Sequence, residues 1–263
     1  MFVIDINPIA FTIGPISVRW YGVMVALGVL VIVLWTLRAV KKTDISPDTV
    51  FTAALVGIPS GIVVSRLFHV VDLWSYYSQH PGEIFGVGGL QGLTIWGAVL
   101  GAALGIWIWG RFAHFQTGRL YDLVAPGIVL GQAIGRVGCT LNGCCYGAQT
   151  DAFPGVIYTH PESYAPIGIG VHPTQVYEII YLLITFGVLL AIGKKRLQPD
   201  GSLFLVYLSL YSVWRFGIGF LREGTGFALG LQESQVISLI VLAIVIPILV
   251  MRARWVRKEL PVS

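Results

Sequence analysis

The stretch VRWYGVMVALGVLVIVLWTLRAV, residues 18–40, decides the class of this protein. No charged side chain lies between Arg19 and Arg38, and about 20 mostly apolar residues are enough for a helix to cross a bilayer. Similar stretches recur along the 263 residues, of which 56% are hydrophobic and only 11% charged, with a mean hydropathy of +0.79. We therefore predict an all-α integral membrane protein rather than a soluble domain.

The apolar stretches predict seven transmembrane helices in a single polytopic membrane domain, residues 1–263. They lie near residues 18–38, 49–71, 92–112, 120–138, 174–193, 202–222 and 233–251. We find no internal repeat of about 20–50 residues, which argues against a transporter built from two related halves.

Lysine and arginine are distributed asymmetrically around these stretches. Most follow the first, third, fifth and seventh, at Arg38, Lys41, Lys42, Arg111, Arg119, Lys194, Lys195, Arg196, Arg252, Arg254, Arg257 and Lys258. Because basic flanking residues stay on the cytoplasmic side, the N-terminus is expected outside and the C-terminus in the cytoplasm. The segment near residues 139–173, which has no lysine or arginine, is then an extracytoplasmic loop. The net charge of +4 reflects this topology, and no nucleic-acid partner is predicted.

The remaining basic residues are all arginines near the predicted outer ends of the helices. They are Arg19, Arg66, Arg136, Arg215 and Arg222. An arginine inside a membrane costs about 2.5–3.5 kcal/mol on insertion scales, and few acids are available nearby, Glu178 among them. Because a guanidinium matches phosphate with a planar fork of donors, we predict a bound anion, namely a phospholipid headgroup. Arg19 and Arg222 lie at the outer ends of their helices, so an alternative to anion binding is that their side chains extend to the membrane–water interface.

The segment GRVGCTLNGCCYG, residues 135–147, follows the fourth stretch. Its glycines, Gly138 and Gly147 among them, are expected to let the backbone approach a ligand closely. Asn142 is expected to hydrogen-bond a headgroup oxygen.

The cysteines of the chain all lie in this segment, at Cys139, Cys144 and Cys145. In an oxidising compartment they predict a disulfide from Cys139 to Cys144 or Cys145. The spacing C-x4-C-C does not match a familiar zinc site, so no metal is predicted.

Four ordered motifs carry a resemblance to a known family. They are VRWYGVMVALG from Val18, GRVGCTLNGCCYG from Gly135, VHPTQVYE from Val171 and WRFGIGFLRE from Trp214. In order and spacing they resemble the motifs of the prolipoprotein diacylglyceryl transferases, over nearly the whole chain.

The resemblance implies an enzyme of the bacterial cytoplasmic (inner) membrane with its active site toward the outer leaflet. Members transfer the diacylglyceryl group of phosphatidylglycerol to the lipobox cysteine of a preprolipoprotein, forming a thioether and releasing glycerol 1-phosphate. The implied partners are phosphatidylglycerol, the lipobox segment and the surrounding membrane lipids. No cofactor is implied.

The motifs suggest a role for each candidate residue. Arg136 and Arg215 are expected to stabilise the leaving phosphate, Tyr21 to contact the headgroup or transfer a proton, and His172 to accept the thiol proton. The HPT sequence around His172 is alternatively a simple helix entry. The expected substrate-binding residues are Arg19, Arg66, Arg136, Gly138, Asn142, Gly147, Glu178 and Arg222.

The chain also departs from the family pattern. Cys139 stands at the position of an asparagine, Cys144 and Gly219 at positions of glutamates, and Trp96 where a histidine is common. A base must then come from Tyr21, His69, His172 or Glu178. These departures keep open an anionic-lipid binder or anion transporter without transferase activity, and a thiol-redox enzyme.

Overall fold

A bundle of long helices dominates the structure, a computed structural model that describes residues 1–14, 16–84, 94–193, 197–222 and 230–255. Within these residues seven helices are long and apolar enough to cross a membrane. They are α1 (Trp20–Val40), α2 (Pro47–Asp72), α4 (Ile95–Phe112), α5 (Thr117–Asn142), α6 (Thr174–Gly193), α7 (Ser202–Gly219) and α8 (Glu233–Arg252), with the short α3 (Trp74–Tyr77) after α2. The predicted class and number of spans are confirmed.

The helix ends agree with the sequence prediction to within a few residues, except at α5. That helix was expected to end near residue 138 but continues to Asn142, so Cys139 is helical and not part of a loop. It ends where Gly143 adopts the left-handed conformation, with φ 69°, and its N–H reaches back to the last carbonyls. The basic residues at 194–196 and 257–258 lie outside the described residues.

α5 is the centre of the bundle and packs against α1, α6 and α7, while α2 packs against α4. The backbones of α1 and α5 approach so closely that a Cβ on Gly28 would lie 2.7 Å from the carbonyl oxygen of Gly131. On α4, a Cβ on Gly101 would lie 2.8 Å from the carbonyl oxygen of Ser60. These glycines therefore let the helix backbones pack closely, as small residues do in membrane bundles.

Short strands cover one end of the bundle. β1 (Phe2–Ile4) pairs in parallel with β4 (Val156–Tyr158), which pairs with β5 (Gly170–Val171). β2 (Ile9–Ile13) and β3 (Ile16–Arg19) form a hairpin leading into α1. We call this the loop end.

At the opposite end β6 (Leu197–Gln198) pairs with β7 (Arg254–Trp255). The carboxylate of Asp122 accepts hydrogen bonds there from the backbone N–H groups of Gly201 (2.8 Å) and Phe204 (2.9 Å). Asp122 therefore fixes the start of α7 and is not a partner for the arginines of the loop end.

The close approach of α1 and α5 predicts different outcomes for two glycines one turn apart. A Cβ on Gly131 would lie 2.8 Å from the Ile32 side chain, whereas a Cβ on Gly135 meets nothing within 4 Å. Gly131→Ala should therefore be less stable than Gly135→Ala by about 1–3 kcal/mol, since both gain the same helix propensity. Reversible unfolding in detergent micelles measures the difference, and equal stabilities would contradict this packing.

Candidate functional site

The site is built around an ion pair between α5 and α6. Arg136 Nε lies 3.0 Å from Glu178 Oε1, and the two side chains are only 11% and 2% exposed. Two such charges persist at this burial because each offsets the other. Arg136 Nη1 also donates to the Cys139 sulfur at 3.8 Å, one turn further along α5. Glu178, expected in substrate binding, is therefore the counter-ion of Arg136.

Arg215 on α7 has no comparable partner. Its Nε and Nη1 are buried donors that find no hydrogen-bond acceptor in the part of the chain that the structure describes. Arg136, Arg222 and Glu178 all interact with it electrostatically. Glu233 on α8 also interacts electrostatically with Arg215, but neither carboxylate forms an ion pair with it among the described residues, and a buried charged donor without an acceptor is costly. The arrangement fits an anionic ligand.

Further buried polar atoms without partners lie deeper in the same helices. Gln132 is one turn before Arg136, Tyr211 is one turn before Arg215, and Tyr207 is one turn before Tyr211. The amide of Gln132 and the two tyrosine hydroxyls form no well-aligned hydrogen bond among the described residues, although Tyr207 interacts with Gln132 and Tyr211 with Arg136. Buried polar groups without partners are rare in folded proteins. The side chains of Gln132, Tyr207 and Tyr211, which we call the polar column, are therefore suited to a polar ligand or to water. Sequence reasoning missed it, although the four-residue spacing from each arginine was visible.

Arg19 and Asn142 hold the loop end together. Arg19 Nη1 donates to Asn142 Oδ1 and to the Glu162 carbonyl oxygen, both at 3.1 Å. Its guanidinium lies 4.3 Å from the Tyr164 ring centroid and pairs with the Glu162 carboxylate at 3.5 Å. Arg19 thus occupies the amide oxygen of Asn142, whereas the predicted bond to a headgroup oxygen would use the amide N–H₂ group and stays a prediction.

Tyr21, Gly138 and Gly147, three of the predicted site residues, each lie close to a neighbouring element. Tyr21 on α1 interacts electrostatically with Arg136 and with the three cysteines. A Cβ on Gly138 would lie 3.1 Å from the Tyr21 Cα, and one on Gly147 would lie 2.6 Å from the Leu221 carbonyl oxygen. Gly138 therefore lets α1, with Tyr21, lie against α5. Gly147 lets its own segment lie against Leu221, just beyond α7.

Arg66 and Arg222 lie at helix ends. Arg66 donates to the carbonyl oxygens of Glu83 (2.9 Å) and Ile84 (3.1 Å) and lies over the Tyr77 ring, so these contacts tie α2 to the segment after it. Arg222 lies just beyond α7, where its carbonyl oxygen accepts from Gln232 at 2.8 Å.

His172 lies at the entry to α6, and its Nδ1 is 3.4 Å from the Tyr177 hydroxyl. Its backbone pairs with Gly147 and Ala148. The HPT segment thus does form a helix entry, and the partly exposed imidazole stays a candidate proton acceptor.

The three cysteines are free thiols, so the predicted disulfide is wrong for this structure. Polar contacts brace the segment instead: Gln175 donates to the Cys144 carbonyl oxygen at 2.8 Å and Thr174 to that of Cys145 at 2.7 Å. Hydrogen bonds from the Cys139 and Cys144 thiols lower the pKa of the Cys145 thiol well below its ordinary value.

The departures from the family pattern are accommodated by neighbouring side chains. A Cβ on Gly219 would lie 2.7 Å from the amide carbon of Gln235, so α8 supplies a polar group at this position, where a glutamate was expected. Trp96 is 2% exposed and meets the Tyr211 ring edge-on at 5.1 Å, beside the polar column.

Comparison with known proteins identifies the family of this chain. The family described as prolipoprotein diacylglyceryl transferase matches residues 8–251. A phosphatidylglycerol–prolipoprotein diacylglyceryl transferase of Dehalococcoides mccartyi (strain 195) is 54% identical, covering 97% of this chain and 96% of its own. Enzymes of the same name from Clostridioides difficile and Clostridium tetani are 35% and 33% identical, covering 88% and 96% of this chain and 90% and 100% of their own. The chain therefore belongs to the prolipoprotein diacylglyceryl transferase family.

Proposed function

We propose that this protein transfers the diacylglyceryl group of phosphatidylglycerol to the lipobox cysteine of a preprolipoprotein. Family membership over nearly the whole chain supports the activity. The observation that carries the proposal for the site is Arg215, whose buried donors have no acceptor among the described residues. The phosphate of the lipid supplies the missing acceptor.

The reaction forms a carbon–sulfur bond and breaks a carbon–oxygen bond. The lipobox sulfur attacks the glyceryl carbon next to the phosphate, the thiol proton goes to a base, and glycerol 1-phosphate leaves with the bonding electron pair. Negative charge therefore grows on the phosphate oxygen as the bond breaks. Arg215, supported by Arg136, is aimed at that charge, and preorganised donors of this kind stabilise a leaving anion.

A phospholipid that enters from the membrane keeps its headgroup near the membrane surface. We therefore assign the headgroup contacts to the loop end, where the candidate arginines lie. Tyr21, which interacts electrostatically with Arg136 and with the cysteines, is proposed to contact the headgroup. His172, partly exposed at the start of α6, is proposed to accept the thiol proton. Because residues 143–173, between α5 and α6, carry no lysine or arginine, we place this end at the outer leaflet of the bacterial cytoplasmic membrane.

Substituting Arg215 tests the phosphate site. In detergent with phosphatidylglycerol and a lipobox-cysteine peptide, Arg215→Gln should lower the transfer rate by at least about 100-fold, because it removes donors to the leaving phosphate. Peptide mass and released glycerol phosphate are followed together.

The matched control is Arg119→Gln, which removes an arginine of the opposite end that pairs with Asp44 and should leave the rate unchanged. His172→Gln, run against His160→Gln, tests the proton acceptor in the same assay. No transfer by the unsubstituted protein, with lipid still retained, would favour a binding or transport role.

The Arg136–Glu178 pair predicts a separation of stability from activity. Glu178→Gln leaves Arg136 buried without its counter-ion and should cost about 3–5 kcal/mol of stability. Combining it with Arg136→Gln should restore most of that stability, because no unpaired charge remains, but should not restore transfer. Unfolding and transfer assays on the three variants check this, and an active double variant would remove Arg136 from the mechanism.

A further inference from the structure

The three cysteines converge in space although their spacing matches no familiar metal motif. The Sγ atoms of Cys139, Cys144 and Cys145 all lie within 4.8 Å of one another, and Cys139 is only 5% exposed. We propose that they form a three-thiolate binding site for a thiophilic cation of the zinc type. This proposal departs from the expectation from sequence, in which this segment holds no metal.

The backbone around the site explains how the sulfurs meet. Cys139 lies in the last turn of α5, and Gly143 ends the helix in the left-handed conformation, with φ 69°. Cys145 also has a positive φ, 63°, which is uncommon for a residue other than glycine. Two left-handed residues within three positions turn the chain back on itself, so that the later cysteines face the helix they have just left.

The distances suit a metal after a small contraction. A zinc ion bound by sulfur at about 2.3 Å in a tetrahedron holds its sulfur ligands about 3.8 Å apart. The present sulfur–sulfur separations are at most 4.8 Å, so small rotations of the cysteine side chains would bring the sulfurs to the distances that zinc requires. Each thiol that ligates the cation releases its proton to solvent, so no oxidant or reductant is required.

The surroundings fix the ligands and offset their charge. The carbonyl oxygens of Cys144 and Cys145 are held by Gln175 and Thr174 at the start of α6. Arg136 donates to the Cys139 sulfur at 3.8 Å. A hydrogen-bond donor beside a bound thiolate stabilises it, as outer-shell partners do at metal sites.

The ligand set also selects the metal. Within the described residues no histidine or carboxylate joins the cluster, so three soft sulfur ligands remain and the fourth position is left to water. Such a set favours zinc and similar thiophilic ions over magnesium or calcium. A bound ion would brace the turn between α5 and α6, and this site does not depend on the transferase proposal.

Cobalt is the probe for the test, because its thiolate complexes absorb light. The purified full-length protein, kept reduced and shown by thiol counting to contain three free thiols, is titrated with Co²⁺ alone. We expect thiolate-to-cobalt charge-transfer and tetrahedral d–d bands that saturate at one ion per chain and disappear when Zn²⁺ is added. Cys139→Ser, Cys144→Ser and Cys145→Ser should each lose these bands, while His160→Gln should keep them.

A second measurement uses the unsubstituted protein, so that misfolding of a serine variant does not decide the result. Zn²⁺ should slow alkylation of all three thiols at least tenfold, as followed by mass spectrometry. Absence of cobalt bands with three reduced thiols, bands that survive Cys144→Ser, or equal alkylation rates with and without Zn²⁺ would each overturn the site. Protein isolated without reductant that contains a disulfide and no metal would do the same.

Discussion

A guanidinium buried between membrane helices must be given an anion, and the loop end of this bundle is organised by that constraint. Arg136 meets it within the chain, through Glu178 on the neighbouring helix. Arg215 interacts with Glu178 and Glu233 only at a distance, and its buried Nε and Nη1 find no acceptor among the described residues. The two arginines therefore differ in what they imply: one links α5 to α6, and the other is left with donors for a ligand. Because insertion of each arginine is costly, the unmatched one is the stronger sign of function.

The rest of the structure holds these helices close enough for the charges to interact. Glycine contacts between α1 and α5 bring Tyr21 to the site, and Arg19 joins the end of α5 to the 143–173 segment through Asn142 and Glu162. The chain departs from its family at several positions here, yet Gln235 fills the space beside Gly219, and Trp96 packs on Tyr211. Neighbouring side chains thus occupy the space at these positions, and Arg136 and Arg215 remain close enough to interact.

The sequence was sufficient for the seven helices, because bilayer thickness requires long apolar stretches that composition reveals directly. It was insufficient for the end of α5, where Cys139, Thr140 and Asn142 appear too polar for a span but continue the helix to Gly143. The strands of two to five residues were too short to leave a pattern. Arginines stood out against an apolar background, whereas Tyr207 and Tyr211 resemble ordinary membrane aromatics. The three cysteine sulfurs come together because Gly143 and Cys145 adopt left-handed backbone conformations. The spacing of the cysteines in the sequence does not predict these conformations.

The most direct test of the central claim measures lipid binding without any transfer. Protein in neutral detergent, without peptide, is mixed with equal amounts of phosphatidylglycerol and phosphatidylcholine, and native mass spectrometry identifies the bound lipid by its mass. We expect preferential retention of phosphatidylglycerol by the unsubstituted protein and by Arg119→Gln, and loss of that preference in Arg215→Gln. Equal retention of phosphatidylglycerol by Arg215→Gln would show that the unmatched arginine does not hold the phosphate.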